Sequence, residues 1–140
     1  MTANDFTNPV IYRVVAPDSS TKDYTVTVTV ASAPKDLTTF SFLYAQNSEL
    51  PDDVFASIKG TDVTAAVPYG TPLGALVAAF STTGTSVTVG GTTQTSGVTA
   101  NDFTSPVIYR VMGADGSTQD YTVTVTVQTY VKAASTGVSR

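Results

Sequence analysis

The chain contains few of the side chains that carry out catalysis. Its 140 residues include no histidine and no cysteine, so a serine or threonine nucleophile could use only Asp, Glu or Lys as its general base. No Gly-x-Ser-x-Gly segment or other activating context surrounds a serine. Without His and Cys, zinc and other transition metals also lack their usual ligands. We therefore predict that the chain is not an enzyme and binds no cofactor.

Two pairs of oxygen-bearing side chains could contact a hard cation. Asp52-Asp53 lies in a polar loop, and Asn101-Asp102 precedes a run of β-branched residues. Calcium takes six to eight oxygen ligands, and the spacing of these residues does not match an EF-hand loop. We interpret them as solvated or capping carboxylates of loops, with a calcium site as the alternative.

Charge and hydropathy limit the partners and the location of the chain. The formal net charge is −4 and the seven basic residues are scattered, which argues against nucleic acid as a partner. No run of 18 apolar residues predicts a membrane-spanning helix. Met1 is followed directly by polar residues, so we expect no secretory signal here. We expect the sequence to begin either at an artificial boundary or at a cut within a longer array, with the genuine start of a cytoplasmic protein as the alternative.

The strongest pattern is a duplication. Residues 99–127 repeat residues 2–30 at a constant offset of 97, and only six of the 29 aligned positions differ. Each copy ends in a Tyr-Thr-Val-Thr-Val-Thr-Val run, in which apolar and hydroxyl side chains alternate as on the two faces of a strand. A second alternating run, residues 107–111, precedes it. Each copy therefore predicts a β-hairpin with one apolar face.

The turns of the two hairpins differ in sequence. Asp115-Gly116 is typical of a tight turn that needs a positive φ angle. The first copy has Asp18-Ser19 at the equivalent positions. Because it lacks the glycine, we predict a different type of turn there.

Short alternating runs fill the segment between the two hairpins. They predict strands at 37–44, 54–58, 63–67, 86–89 and 92–95, and one more from residue 77 to 80, following at most one helical turn. The aromatic residues Phe40, Phe42 and Tyr44 are predicted to lie in the core. Turns every 8 to 12 residues are typical of a sandwich. The predicted fold is all-β: an antiparallel immunoglobulin-like sandwich of seven to eight strands, plus an extra N-terminal hairpin.

The same pattern predicts the domain organisation. Residues 1–30 are interpreted as a partial repeat, namely the C-terminal hairpin of a preceding domain. A short linker at 31–36 contains Pro34, which disfavours a helix. Residues 37–130 form the complete sandwich, and 131–140 form a polar tail.

Several segments resemble a known class of repeats, and the resemblance covers nearly all of 37–127, with 2–30 as a partial second copy. The chain resembles the tandem immunoglobulin-like and cadherin-like β-sandwich repeats of large bacterial secreted and surface proteins. The resemblance implies an extracellular or cell-surface spacer or adhesion module without enzymatic activity. The segments that carry it are Val67-Pro68-Tyr69-Gly70-Thr71, Thr85-Ser86-Val87-Thr88-Val89-Gly90-Gly91, Asp102-Phe103-Thr104-Ser105-Pro106-Val107 and Ala114-Asp115-Gly116-Ser117-Thr118-Gln119-Asp120-Tyr121-Thr122-Val123-Thr124-Val125.

The duplication leaves one hairpin without a set of preceding strands. An isolated two-stranded hairpin is marginal in water, so we predict that it docks on another copy or on a neighbouring repeat. Such strand donation builds a filament if it does not close. The alternative is that residues 1–30 are disordered or fold back on their own domain. The predicted self-association residues are Val10, Tyr12, Val14, Tyr24, Val26, Val28 and Val30.

Two functions from different classes follow. The first is a structural or adhesive repeat of a bacterial surface protein that self-associates through the duplicated hairpin. The second is a carbohydrate- or ligand-binding β-sandwich module. Aromatic side chains exposed on one face would favour the second function, whereas the absence of Trp argues against it. An accessory domain of an enzyme is a third possibility.

Overall fold

The computed structural model describes residues 1–130, so the predicted tail at 131–140 lies outside the described residues. Every regular element within 1–130 is a β-strand, which confirms the all-β prediction. None of these residues belongs to a helix that could cross a bilayer. The chain divides into two compact units, Met1–Ala31 and Ser32–Arg140.

The first unit is a two-stranded antiparallel hairpin. Strand β1 (Val10–Val15) pairs with β2 (Thr21–Val26), and Tyr12 lies directly opposite Tyr24 in the register. Directly opposed residues share a face of a sheet. One face of the hairpin is therefore largely apolar, as the alternation predicts, with Lys22 opposite Val14 at the end near the turn.

The second unit contains two main sheets. The larger has six strands in the order β10-β9-β12-β13-β6-β5, and the smaller has the order β4-β3-β8, while β7 and β11 form a separate pair. The strands are β3 (Leu37–Phe42), β4 (Val54–Phe55), β5 (Ser57–Lys59), β6 (Asp62–Val67), β7 (Leu76–Val77), β8 (Ala79–Thr82), β9 (Ser86–Val89), β10 (Thr92–Thr93), β11 (Ala100–Asn101), β12 (Val107–Met112) and β13 (Thr118–Val127).

The six-stranded sheet is mixed, although the sequence predicted an antiparallel fold. Strand β13 runs parallel to β6 from the Thr122–Asp62 pair to the Val127–Val67 pair. Strands joined by a short turn must be antiparallel, but a long connection permits either direction. About fifty residues separate these two strands in sequence, so the hairpin patterns that set the other pairings could not reveal this one.

Irregularities split the predicted strands into shorter ones. The predicted strand from residue 77 is divided at Ala78 into β7 and β8, and a turn rather than a helical segment precedes it. Strand β3 contains a bulge between Leu37 and Thr39, which lets Leu37 reach the core together with Phe40. Tyr44 does not lie in the core as predicted, because β3 ends at Phe42 and the tyrosine is exposed.

The core lies between the two main sheets, with Tyr109 at its centre. This ring is fully buried, 5.1 Å from Phe40 and 5.8 Å from Phe80 between ring centroids. The amide of Asn101 donates a 3.0 Å hydrogen bond to the phenol oxygen. Burial raises the pKa of Tyr109 to about 12, while the Asn101 hydrogen bond acts in the opposite direction. The aromatic residues of β3, β8 and β12 thus hold the two sheets together.

The prediction that the two hairpin turns are of different types was wrong. Ser19 adopts a φ of 71°, and the equivalent Gly116 a φ of 80°. The backbone hydrogen bonds also correspond: Ser19 N–H donates to Ala16 O at 2.8 Å, and Gly116 N–H to Gly113 O at 3.0 Å. Serine tolerates this region less well than glycine. The shared register therefore imposes the turn on both sequences.

Candidate functional site

The predicted self-association residues lie on the apolar face of the first unit. Five of them share that face of the β1–β2 hairpin, because Val10 is opposite Val26 and Tyr12 is opposite Tyr24. The other two, Val28 and Val30, follow the end of β2 and are exposed. We call the seven residues together the hairpin face. Its tyrosines and most of its valines are solvent-exposed in the structure.

The oxygen-bearing pairs considered for calcium are used within loops. Asp53 accepts a 2.8 Å hydrogen bond from the backbone N–H of Tyr44. Asp102 accepts hydrogen bonds from the hydroxyl and backbone N–H of Thr104, which lower the pKa of its carboxyl. No group of three or more acidic side chains that could hold a metal ion occurs in the part of the chain that the structure describes. These contacts fit the interpretation of capping carboxylates.

A polar groove crosses the outer face of the six-stranded sheet. It encloses about 400 Å³. Arg110 pairs in register with Thr88 of β9 on one side and with Asp120 of β13 on the other. The guanidinium contacts the carboxylate through two hydrogen bonds of 2.7 and 2.9 Å, and this pairing lowers the pKa of Asp120. The groove is lined by Thr88, Gly90, Gly91, Ile108, Arg110 and Asp120.

The chemistry of this groove suits a neutral hydroxylated ligand. A hydroxyl group both donates and accepts, so it can contact a carboxylate and a guanidinium at once. The same ion pair occurs in the first unit, where Arg13 contacts Asp23 at 2.7 and 3.0 Å. The ion pair is therefore a property of the hairpin, whereas the groove also needs β9 and the Gly90-Gly91 turn.

A second surface is formed by two exposed tyrosines. Tyr69 follows β6 in a turn, and Tyr130 follows β13. Because β6 and β13 are parallel, they end at the same edge of the sheet, where the backbone N–H of Gln128 donates to Val67 O at 2.8 Å. The two ring centroids are 5.4 Å apart with an interplanar angle of 61°. We call Tyr69 and Tyr130 the tyrosine pair.

The tyrosine pair offers rings that the core does not use. The two residues are 66% and 69% exposed. Aromatic rings with a polar tip combine an apolar surface with a hydrogen-bonding group, and exposed ones can stack on the C–H faces of sugar rings. The sequence interpretation missed this pair. The available signal was Tyr69 between Pro68 and Gly70, where an aromatic residue in a turn is poorly placed for a core.

Comparisons with known proteins agree with a surface role. The model of a family described as "SGBP, N-terminal" matches residues 1–28 and 46–125. No curated protein sequence matches the chain. A crystal structure from Bacteroides thetaiotaomicron, proposed to be a glycoside hydrolase, is 27% identical with a TM-score of 0.51. The match covers 73% of this chain and 27% of that one. A Bacteroides fragilis protein proposed to be secreted is 18% identical, with a TM-score of 0.47 and coverages of 69% and 98%.

Proposed function

The chain belongs to the SGBP N-terminal family, whose name denotes surface glycan-binding proteins, and we propose that it is a non-catalytic module that binds glycan outside the cell. The chain is a β domain of a surface or secreted protein. Its family is one of binding modules. Family membership thus favours the carbohydrate-binding alternative over an adhesive repeat.

The exposed tyrosine pair is the observation that carries the proposed site. Binding surfaces combine exposed aromatic rings with a few polar groups, and Tyr69 and Tyr130 supply the rings. Both follow strands that end together in the parallel β6–β13 pairing, and their ring centroids already lie 5.4 Å apart. Aromatic rings that are side by side before a ligand arrives lower the entropy lost on binding.

The comparison structure supports a place for such a module within a larger protein. The region similar to this chain makes up 27% of the protein proposed to be a glycoside hydrolase. A non-catalytic β domain beside a catalytic one would retain the polymer near the active site. The third possibility from the sequence, an accessory domain of an enzyme, is one form of this proposal.

The proposal also includes the finer class of the fold. Two sheets that share one aromatic core support an immunoglobulin-like sandwich, with the β1–β2 hairpin as an extra element. The structural or adhesive role, in which copies form filaments by strand donation, stays a prediction. The exposed hairpin face supports a docking role for residues 1–30, and family membership supports a glycan as the ligand of the whole module.

Affinity electrophoresis against a panel of soluble polysaccharides tests the proposal. We expect the full chain to be retarded by at least one of them, and Tyr69→Ala and Tyr130→Ala each to weaken that affinity roughly tenfold. Tyr44→Ala is the matched control, because Tyr44 is also exposed but lies outside the pair. Arg110→Ala examines the polar groove in the same assay.

The outcomes separate the two surfaces. Weaker binding by the Tyr69→Ala and Tyr130→Ala variants, with normal binding by the other two, supports the tyrosine pair. Loss of binding only in Arg110→Ala would place the glycan site in the polar groove instead. Absence of retardation across the panel, or equal retardation of the full chain and the Tyr69→Ala/Tyr130→Ala double variant, contradicts a glycan site at the pair.

A further inference from the structure

We propose that the hairpin face is the docking surface for the strand framework of a second domain of the same kind. The framework is defined as the part of such a domain that is equivalent to residues 32–97. Residues 1–31 would then close that domain as β12 and β13 close the second unit. This proposal concerns the hairpin alone and does not depend on glycan binding.

The first unit is already arranged as its counterpart is inside a finished domain. Phe6 and Tyr12 lie 6.4 Å apart at an interplanar angle of 20°, and the equivalent Phe103 and Tyr109 lie 6.3 Å apart at 18°. The amide of Asn4 donates to the Tyr12 hydroxyl at 2.8 Å, as Asn101 does to Tyr109 at 3.0 Å. Only the surface on which this face packs is missing from the first unit.

Five of the six sequence differences between the hairpins avoid the docking face. All seven residues of the hairpin face are identical to their equivalents at 107–127. One substitution, Lys22 for Gln119, lies on the face opposite Val14, and the other five fall in the turn, before β1 or at an outward position. One of them, Ala16 for Gly113, is close to a packed region, because a Cβ at Gly113 would meet Ala33 Cβ at 3.1 Å. A framework that accepts residues 1–31 therefore needs slightly more room at that point.

Strand β2 is shorter than its counterpart β13, as expected if it lacks a partner strand. Strand β13 extends to Val127, and β6 pairs with its last six residues in parallel. Strand β2 has nearly the same sequence but ends at Val26. Residues 27–30 are therefore expected to become strand only when an equivalent of β6 pairs with them. The exposed edge of β1 corresponds in the same way to the edge of β12 that pairs with β9.

A framework from a further domain fits better than exchange between two copies of this chain. Each copy has one framework and two interchangeable hairpins, and β12–β13 already fills the framework. If one copy donated its N-terminal hairpin, it would displace another hairpin, so the number of uncovered faces would not fall. The two segments matched by the family model also end at equivalent residues, Val28 and Val125. The match thus ends at the same point of each hairpin.

The first experiment asks whether the N-terminal hairpin can close a framework. In the full chain, residues 99–127 are converted to the sequence of 2–30 by six substitutions: Ser105→Asn, Met112→Val, Gly113→Ala, Ala114→Pro, Gly116→Ser and Gln119→Lys. A matched variant retains Gly113 and carries the other five. We expect the five-residue variant to unfold cooperatively and to keep amides 124–127 protected, with exchange faster by no more than the roughly 30-fold that serine at the positive φ of position 116 accounts for. Loss of that protection in both variants would overturn the proposal.

The second experiment supplies the missing framework. A second copy of residues 32–97 is fused directly before Met1, which reproduces the spacing between residues 97 and 98. Amide hydrogen exchange is then compared with that of the original chain. We expect exchange at residues 27–30 to slow by roughly 100-fold or more. Tyr12→Ala in the fused protein should restore fast exchange, whereas Ile11→Ala, on the other face, should not.

Two results would overturn the proposal. One is equally fast exchange at 27–30 in the original and fused proteins when the hairpin-exchange variant is folded. The other is slow exchange at 27–30 in the original chain together with a concentration-dependent mass by light scattering. That second result would assign the face to another copy of the chain, as in the strand-donation prediction.

Discussion

The two hairpins of this chain have almost the same sequence but very different surroundings. Tyr12 is 42% exposed and its equivalent Tyr109 is fully buried, while Val14 is 56% exposed and Val111 is fully buried. The strand pairing, the turn and the cross-strand ion pair are nevertheless the same. Local sequence therefore determines the hairpin and its apolar face, and the neighbouring strands determine whether that face is buried.

The two hairpins should differ most in how much the free energy of unfolding falls when the central tyrosine of each is replaced by alanine. Tyr109→Ala leaves a cavity among aromatic rings and removes one of the two hydrogen-bond acceptors of the Asn101 amide, so we expect it to lower the free energy of unfolding of the second unit by about 3 to 5 kcal/mol. Tyr12→Ala should change the same quantity by less than about 0.5 kcal/mol. Urea denaturation measures both variants. Similar losses in the two variants would show that the second unit depends on both hairpins.

A smaller effect should come from loosening the contact of β12 with its neighbours. A Cβ at Gly84 would lie 2.4 Å from Val111 Cγ1 and 2.5 Å from the Met112 carbonyl oxygen. Gly84→Ala must displace backbone, and we expect a loss of about 1 to 3 kcal/mol in the unfolding free energy of the second unit. Gly74→Ala is the control, because its Cβ would meet no atom within 4 Å. An unchanged denaturation midpoint in Gly84→Ala would refute the close approach.

Serine and glycine can be exchanged between the two turns, and each substitution should change the stability of its own unit by about 1 to 2 kcal/mol. Gly116→Ser should destabilise the second unit, because serine is strained at the positive φ of this position. Ser19→Gly should relieve the same strain in the first unit and raise the amide protection of β1. Thermal unfolding measures the first variant and hydrogen exchange the second. If both substitutions acted in the same direction, the two turns would not share one conformation.

The alternation of side chains was sufficient to predict the elements that the fold is built from. Val107, Tyr109 and Val111 point inward as predicted, because a strand with one apolar face has only one way to bury it. The Gly90-Gly91 hairpin was also predictable, since both glycines adopt positive φ angles. These features depend on neighbours in sequence, which a single chain displays directly.

Features that depend on distant residues could not be predicted in this way. The parallel pairing of β6 and β13 joins segments about fifty residues apart, and the tyrosine pair exists only because those strands end together. Neither Tyr69 nor Tyr130 belongs to an alternating run, so no periodicity marks them. The exposure of Tyr44 depends on where β3 ends, which is the least certain part of any strand assigned from sequence.

The smallest expected effect is a difference in pKa between two aspartates that cap the equivalent turns of the two hairpins. Asp18 accepts hydrogen bonds from Ser20, and Asp115 accepts the equivalent bonds from Ser117. Hydrogen bonds to the carboxylate lower the pKa of both residues. Asp115 accepts one more, from the backbone N–H of Ala33 at 3.1 Å, so its pKa should be the lower of the two.

The direction of the pH effect follows from that depression. A carboxyl whose pKa is lower in the folded state stabilises it above the pKa of the unfolded chain, and this contribution is lost as the pH falls through the folded value. NMR titration of the two carboxyl groups measures the order directly. In Asp115→Asn, the order can no longer be measured, but the second unit should lose less stability on acidification than the unchanged chain does. An equal or higher pKa at Asp115 than at Asp18 would mean that the Ala33 contact is absent in solution, and with it a hydrogen bond that distinguishes the two turns.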